Sequence, residues 1–171
     1  MLGIDIVDLH DPVLKERDER SLRFIKHPAD TVIEHDQIYW LLWSAKEAVF
    51  KCLREANNYS PTSIPVIMEE TDGKIIFTSN HLEGEINITS DYILAICSDN
   101  LKKIQFEIIK ATSTVDSDSL RKEINDYFKE LNVQIGSDDL NLPILLPSED
   151  PISISHHRNY GAFAFPSEIT P

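Results

Sequence analysis

Glu47 and Lys51 stand four residues apart in WSAKEAVFK, Trp43 to Lys51. At about 3.6 residues per turn, that spacing sets a carboxylate beside an ammonium on one helical face. Such a face offers a metal ligand and a cation together. A pair of this kind also serves as an ordinary ion pair on a solvated edge, worth a few tenths of a kcal/mol, so alone it decides nothing. Two further stretches carry groups able to join it. Asp5 interrupts the β-branched run GIDIVDL (Gly3 to Leu9), and His156 ends a second such run within ISISHHRNYGAFAF (Ile152 to Phe165). An aspartate in a strand can equally lie at a sheet edge or cap the coming turn. A histidine at a strand end is often a satisfied, half-buried side chain.

The elements that must position these groups follow from periodicity. From Gln37 to Ala56 the apolar residues Ile38, Leu41, Leu42, Ala45, Ala48, Val49, Cys52 and Leu53 predict a helix sunk in a domain core. Gly3 to Leu9 predicts a strand with Ile4 and Ile6 on one face and Asp5 and Val7 on the other. The charge-dense Val13 to His27 fits a short helix and a mobile connection, ended by Pro28. Strand-like runs follow at Ile64 to Met68, Lys74 to Thr78, Glu85 to Ile88, Tyr92 to Cys97 and Lys103 to Ile109, an antiparallel meander. Asp116 to Val133 returns to helical spacing with Asp116 or Ser117 as cap, and Gly136 to Pro151, with three prolines, reads as a loop or ragged edge leading into the last strands. Asp91-Tyr92 before Ile-Leu-Ala-Ile echoes Asn159-Tyr160 before Gly-Ala-Phe-Ala-Phe, a likeness that chance among similar strands readily produces.

A chain of 171 residues suits a single domain spanning 1–171, or two sub-halves of about 1–110 and 111–171 around a shared core. Cys52 and Cys97 both fall in apolar runs and read as buried thiols in a reducing compartment. Met1 leads straight into a strand, and no apolar run approaches the ~18 residues of a membrane span, so a soluble cytoplasmic protein is expected. With 16 basic against 29 acidic residues the net charge is −13, which disfavours nucleic acid and acidic membrane surfaces as partners. Lys15, Arg17, Arg20, Arg23 and Lys26 form the sequence-local basic patch.

In this order, the three motifs resemble the 4′-phosphopantetheinyl transferases, specifically the small holo-acyl-carrier-protein synthase type. Its pattern runs G-[IV]-D-[IL], then [FW]-x-x-K-E-A-x-x-K, then S-[IL]-S-H with a trailing strand. The resemblance implies an α+β fold with antiparallel sheet packed on a long central helix. It implies transfer of the phosphopantetheine arm of coenzyme A to a serine of an acyl or peptidyl carrier protein, with Mg²⁺. A non-catalytic descendant that keeps coenzyme A or partner binding is the alternative, and a metal-dependent phosphohydrolase using the same acids is a further rival. By the resemblance Asp5 and Glu47 are the metal positions, and Lys51, with Glu47, is catalytic and also meets the coenzyme. His156 contacts the coenzyme A phosphates. Lys46, turned about 100° from Glu47, faces other phosphate or the surface, and Arg158 and His157 stand near a further phosphate. Val7 leaves the metal to Asp5, Glu47 and solvent, with Asp8 in support through water. His10 and Asp11 replace the base that docks the carrier in small synthases. Those synthases build their sites between protomers, so a homo-oligomer, with a trimer favoured, is expected, His156 reaching a neighbour's Asp5 and Glu47. The larger family members are instead pseudo-dimers of two related halves, which the Tyr92 and Tyr160 echo also fits.

Overall fold

A computed structural model of the chain describes residues 1–14, 17, 19–54 and 58–169. Its first strand, β1 (Leu2–Asp8), lies against the α2 helix (Ile38–Leu53), and Gly3 explains how closely. A Cβ there would stand 2.6 Å from the Cys52 nitrogen and nearer still to the Ala48 carbonyl oxygen. Helix backbone rests on strand backbone, and only a residue without a side chain permits it. α2 itself forms because Leu41, Leu42, Ala45, Ala48, Val49 and Cys52 make a continuous buried stripe. It ends at Arg54, which takes a left-handed conformation at φ 50°. Its 16 residues make it a helix of moderate length, so the expected long helix is corrected. The tail of the expected window, Ala56 included, lies outside the described residues.

The first sheet is antiparallel in the order β1-β5-β4-β3-β2, built from β2 (Ile67–Thr71), β3 (Lys74–Ser79), β4 (Leu82–Ile88) and β5 (Tyr92–Ser98). The second strand starts later than its apolar run suggested. Pro65 has no N–H to give a ladder, and Pro61–Ser63 forms a 3₁₀ turn instead. A second antiparallel sheet runs β10-β11-β6, from β6 (Ile104–Lys110), β10 (Ser153–His157) and β11 (Tyr160–Pro166). The region 136–151, expected as a loop or ragged edge, gives half its residues to a small third sheet of β7 (Gln134–Ser137), β8 (Pro143–Leu146) and β9 (Asp150–Pro151). These strands are too short to show a period, and Leu145 is what anchors them in the core. Helix α1 (Glu19–Leu22) is a single turn, and α3 (Ser117–Tyr127) is capped by Asp116, whose carboxylate accepts the Ser119 N–H.

Three apolar clusters order the layers. One lies between α2 and the first sheet, a second between the two large sheets, where Ile4, Ile6 and Leu94 meet Tyr160, Ala162 and Ala164, and a third between the second sheet and α3. β1 is therefore buried on both faces, and its alternation decides which layer each side chain enters. Cys52 and Cys97 are buried free thiols.

The two large sheets repeat one plan. An opening strand pairs with the last strand, which pairs with the one before it, and a helix follows the opening strand: β1, β5, β4 and α2 in the first, β6, β11, β10 and α3 in the second. The registers correspond, Asp8 facing Tyr92 as Lys110 faces Tyr160, and Ile88 facing Ile93 as His156 faces Gly161. The two echoing stretches thus fall on strands at corresponding positions of the two sheets, and the rings of Tyr92 and Tyr160 meet at 5.3 Å. β6 belongs by its pairing with the second half, so a division at residue 110 would cut a sheet.

Candidate active site

β1 has no sheet partner on its outer edge, and its N–H groups at Ile4, Ile6 and Asp8 need acceptors. Alternate side chains of β10 supply them: Ser153 Oγ accepts from Ile4 N at 3.0 Å, Ser155 Oγ from Ile6 N at 3.3 Å, and His157 Nδ1 from Asp8 N at 2.8 Å. Serines are short enough to let the two backbones approach, so the halves join here without a regular ladder. Ser153 and Ser155 lie on a buried face rather than a solvated one. His157 accepts at Nδ1, so its proton sits on Nε2, 3.4 Å from an Asp11 carboxylate oxygen.

Beside this seam, α2, β1 and β10 enclose a cleft of about 340 Å³ whose walls include Asp5, Glu47, Lys51, Ser155 and His156, with Trp40 and Trp43 along one side. Lys51 does not pair with Glu47. Its Nζ donates to Asp5 Oδ1 at 2.9 Å and to the Ile4 carbonyl at 3.1 Å, while Ser155 Oγ donates to the same Asp5 Oδ1 at 2.9 Å. Glu47 is left with no hydrogen bond or ion pair among the described residues. Burial and then the neighbouring Asp5 charge push its carboxyl up to about 6, against the opposing pull of Lys51. Two carboxylates sharing a cleft, one without a partner, are a net charge deficit that a hard cation relieves. Asp5 and Glu47 line one cleft and could supply two carboxylate ligands to such an ion, while no group of three or more His, Cys, Asp or Glu side chains able to hold a metal occurs among the described residues. Water and substrate phosphates would complete the shell, the usual arrangement for Mg²⁺.

Other expected residues fall elsewhere. Lys46 is fully buried and pairs with Asp30 at 2.7 Å, donating also to the carbonyls of Pro61 and Ile64. It is a structural cation without access to a phosphate, because its position on α2 turns it into the core rather than the cleft. Burial lowers its pKa, and Asp30 opposes that shift. Arg158 is outside the cleft wall and donates to Asp11 at 3.0 Å. Asp8 is engaged by the turn: its carboxylate accepts from His10 N and Asn159 N. His156 lines the cleft of its own chain, its Nε2 within 3.2 Å of Ser117 Oγ. Of the basic patch, Arg17 stacks over Tyr39 and Trp40, and Lys15 lies outside the described residues. Sequence reasoning missed Ser155 as the donor to Asp5, although the S-I-S-H pattern held the signal, and it missed Asp30, for which no motif existed.

The sequence of 1–97 matches the 4′-phosphopantetheinyl transferase superfamily model. That is more than half of the chain, and the protein belongs to this superfamily of transferases. The matched stretch carries Asp5, Glu47 and Lys51 and ends before β6, so the strand of His156 stands outside it. Comparison with curated proteins and with solved structures gave no match. No helix among the described residues is long and apolar enough to cross a membrane.

Proposed function

We propose that the protein transfers the 4′-phosphopantetheine arm of coenzyme A to a serine of an acyl or peptidyl carrier protein, with Mg²⁺ as the resident cation. The observation that carries this reading is the unpartnered Glu47 carboxylate facing the Asp5 and Lys51 pair in one cleft. The serine hydroxyl attacks the β-phosphorus, the bond to adenosine 3′,5′-bisphosphate breaks, and the hydroxyl proton leaves to a base. In this reading Glu47, beside the Asp5 and Lys51 pair in the cleft, takes that proton directly or through water. A bound Mg²⁺ supplies neutralisation of charge on the pyrophosphate. Lys51, anchored to Asp5 and the Ile4 carbonyl, presents a cation to the leaving phosphate, and His156 offers a ring N–H to coenzyme A phosphate from the other half of the chain. The aromatic wall of Trp40 and Trp43 excludes water from one side.

Carrier docking falls to the basic segment holding Arg17, which stacks on Trp40 at the rim of the cleft. A local patch can attract an acidic carrier despite the net charge because screening acts over about 8 Å at physiological salt. The site is lined within one chain, so this reading requires no trimer. The net charge of −13 and the engagement of Asp11 by Arg158 favour the second reading, a descendant that binds coenzyme A without transferring the arm. One experiment separates them: incubate protein, coenzyme A and Mg²⁺ with apo-carrier proteins and measure carrier mass. A gain of the arm, lost in Asp5→Ala and Glu47→Ala, supports transfer. Coenzyme A binding with no carrier gaining mass sinks it, and cleavage of coenzyme A without a carrier would indicate hydrolysis instead.

A further inference from the structure

Tyr59 has a buried phenol hydroxyl with no hydrogen-bond partner among the described residues. A polar group in that condition is costly, and a folded chain that keeps one calls for a reason. Its ring packs edge-on against Trp43 at 5.5 Å and tilted against Phe50 at 5.2 Å. On α2 those two residues flank Glu47 on a single face, at spacings of four and three. The tyrosine therefore lies along the stretch of helix from which Glu47 projects. The negative charges of Glu47 and Asp5 are also among the causes that, after burial, hold the phenol in its protonated form. An O–H donor without an acceptor thus neighbours a carboxylate without a donor.

We propose that Tyr59 is a positioning residue for Glu47: when the cleft takes up a divalent cation, the Tyr59 hydroxyl donates to the Glu47 carboxylate and holds it in its ligating orientation. The inference rests on the reading of Glu47 as a cation ligand. An outer donor of this kind fixes the rotamer of the ligand it touches, and its loss typically costs 10- to 100-fold in metal affinity. Tyr59→Phe removes only the oxygen and keeps the ring contacts.

The test is Mn²⁺ binding in the presence of coenzyme A, followed by electron paramagnetic resonance of the free ion, in wild type, Tyr59→Phe and Glu47→Gln, with thermal melts of the metal-free proteins. The expected result is a Mn²⁺ dissociation constant raised about tenfold in Tyr59→Phe, with a melting temperature equal to or above that of wild type. Glu47→Gln should bind still more weakly. A Tyr59→Phe affinity within twofold of wild type, while Glu47→Gln is impaired, overturns the role of Tyr59 and leaves the cation site standing. Wild type that takes up no Mn²⁺, or a Glu47→Gln protein that binds it as well as wild type, overturns both.

Discussion

Asp5, Lys51 and Glu47 line one cleft, and their hydrogen bonding differs. Asp5 spends one oxygen on Lys51 and Ser155, which orients its carboxylate, whereas Glu47 stays free. Because the folded Glu47 carboxyl titrates at about 6 against an ordinary 4.5, folding favours its protonated form. That contribution is present below about pH 4.5 and is lost as pH rises through about 6. Metal-free Glu47→Gln should therefore be more stable than wild type at pH 7.5 by about 1 kcal/mol, a figure reduced for partial exposure, and the difference should vanish near pH 4. Denaturant melts at the two pH values check this, and an unchanged difference between them would refute it. Ser155→Ala removes one of the two donors that orient Asp5 and leaves the Ile6 N–H without its acceptor. Arm transfer by that variant should fall about tenfold, chiefly through weaker apparent Mg²⁺ affinity, measurable as a shift of the Mg²⁺ saturation curve.

At the scale of elements, the site depends on how α2 is seated. Beyond its apolar stripe against the first sheet, two contacts fix its seating: backbone against backbone at Gly3, and the Lys46 to Asp30 pair. Asp30 also accepts from the N–H groups of His27 and Val66, so the pair stitches two loops onto the helix. Gly3→Ala forces a methyl into the Ala48 carbonyl and should destabilise by about 3 kcal/mol, since overpacking against backbone cannot be relieved by a rotamer change. A melting temperature unchanged by this variant would mean the strand and helix are not so close. Lys46→Met leaves the Asp30 carboxylate buried and uncompensated, an expected loss of about 3–5 kcal/mol. Because Lys46 has no part in the cleft, transfer per folded molecule should persist, which turnover normalised to the folded fraction would test.

At the scale of the whole molecule, the site lies where the two halves meet. β10 lends β1 its acceptors and brings His156 to the acids of the first half, with the Asp91 carboxylate binding Tyr160, Lys110 and His10 across the same junction. Specific activity should therefore be independent of protein concentration down to dilutions at which sedimentation reports a single chain. Activity that falls in step with dissociation of an oligomer would contradict a site completed within one chain.

Much of this was legible in the residues. The apolar stripe of α2, the alternation of β1, the Asp116 cap and the three motifs are local patterns, set by periodicity and by side-chain chemistry within a few positions. Those patterns determined the elements, the superfamily resemblance and the candidates Asp5, Glu47, Lys51 and His156. Which of them share a cleft, and what each touches, was decided by the tertiary structure alone. Lys46 and Lys51 are both lysines on one helix, yet one lies in the core with Asp30 and the other in the cleft with Asp5. Helical spacing turns the two to different faces, but which partner each meets depends on segments far away in the chain. The same holds for the joining of β1 to β10, where each bonded pair is separated by 149 residues. Helical and strand periods arise from neighbouring backbone geometry, but a charge finds its partner only after burial has removed water as the alternative.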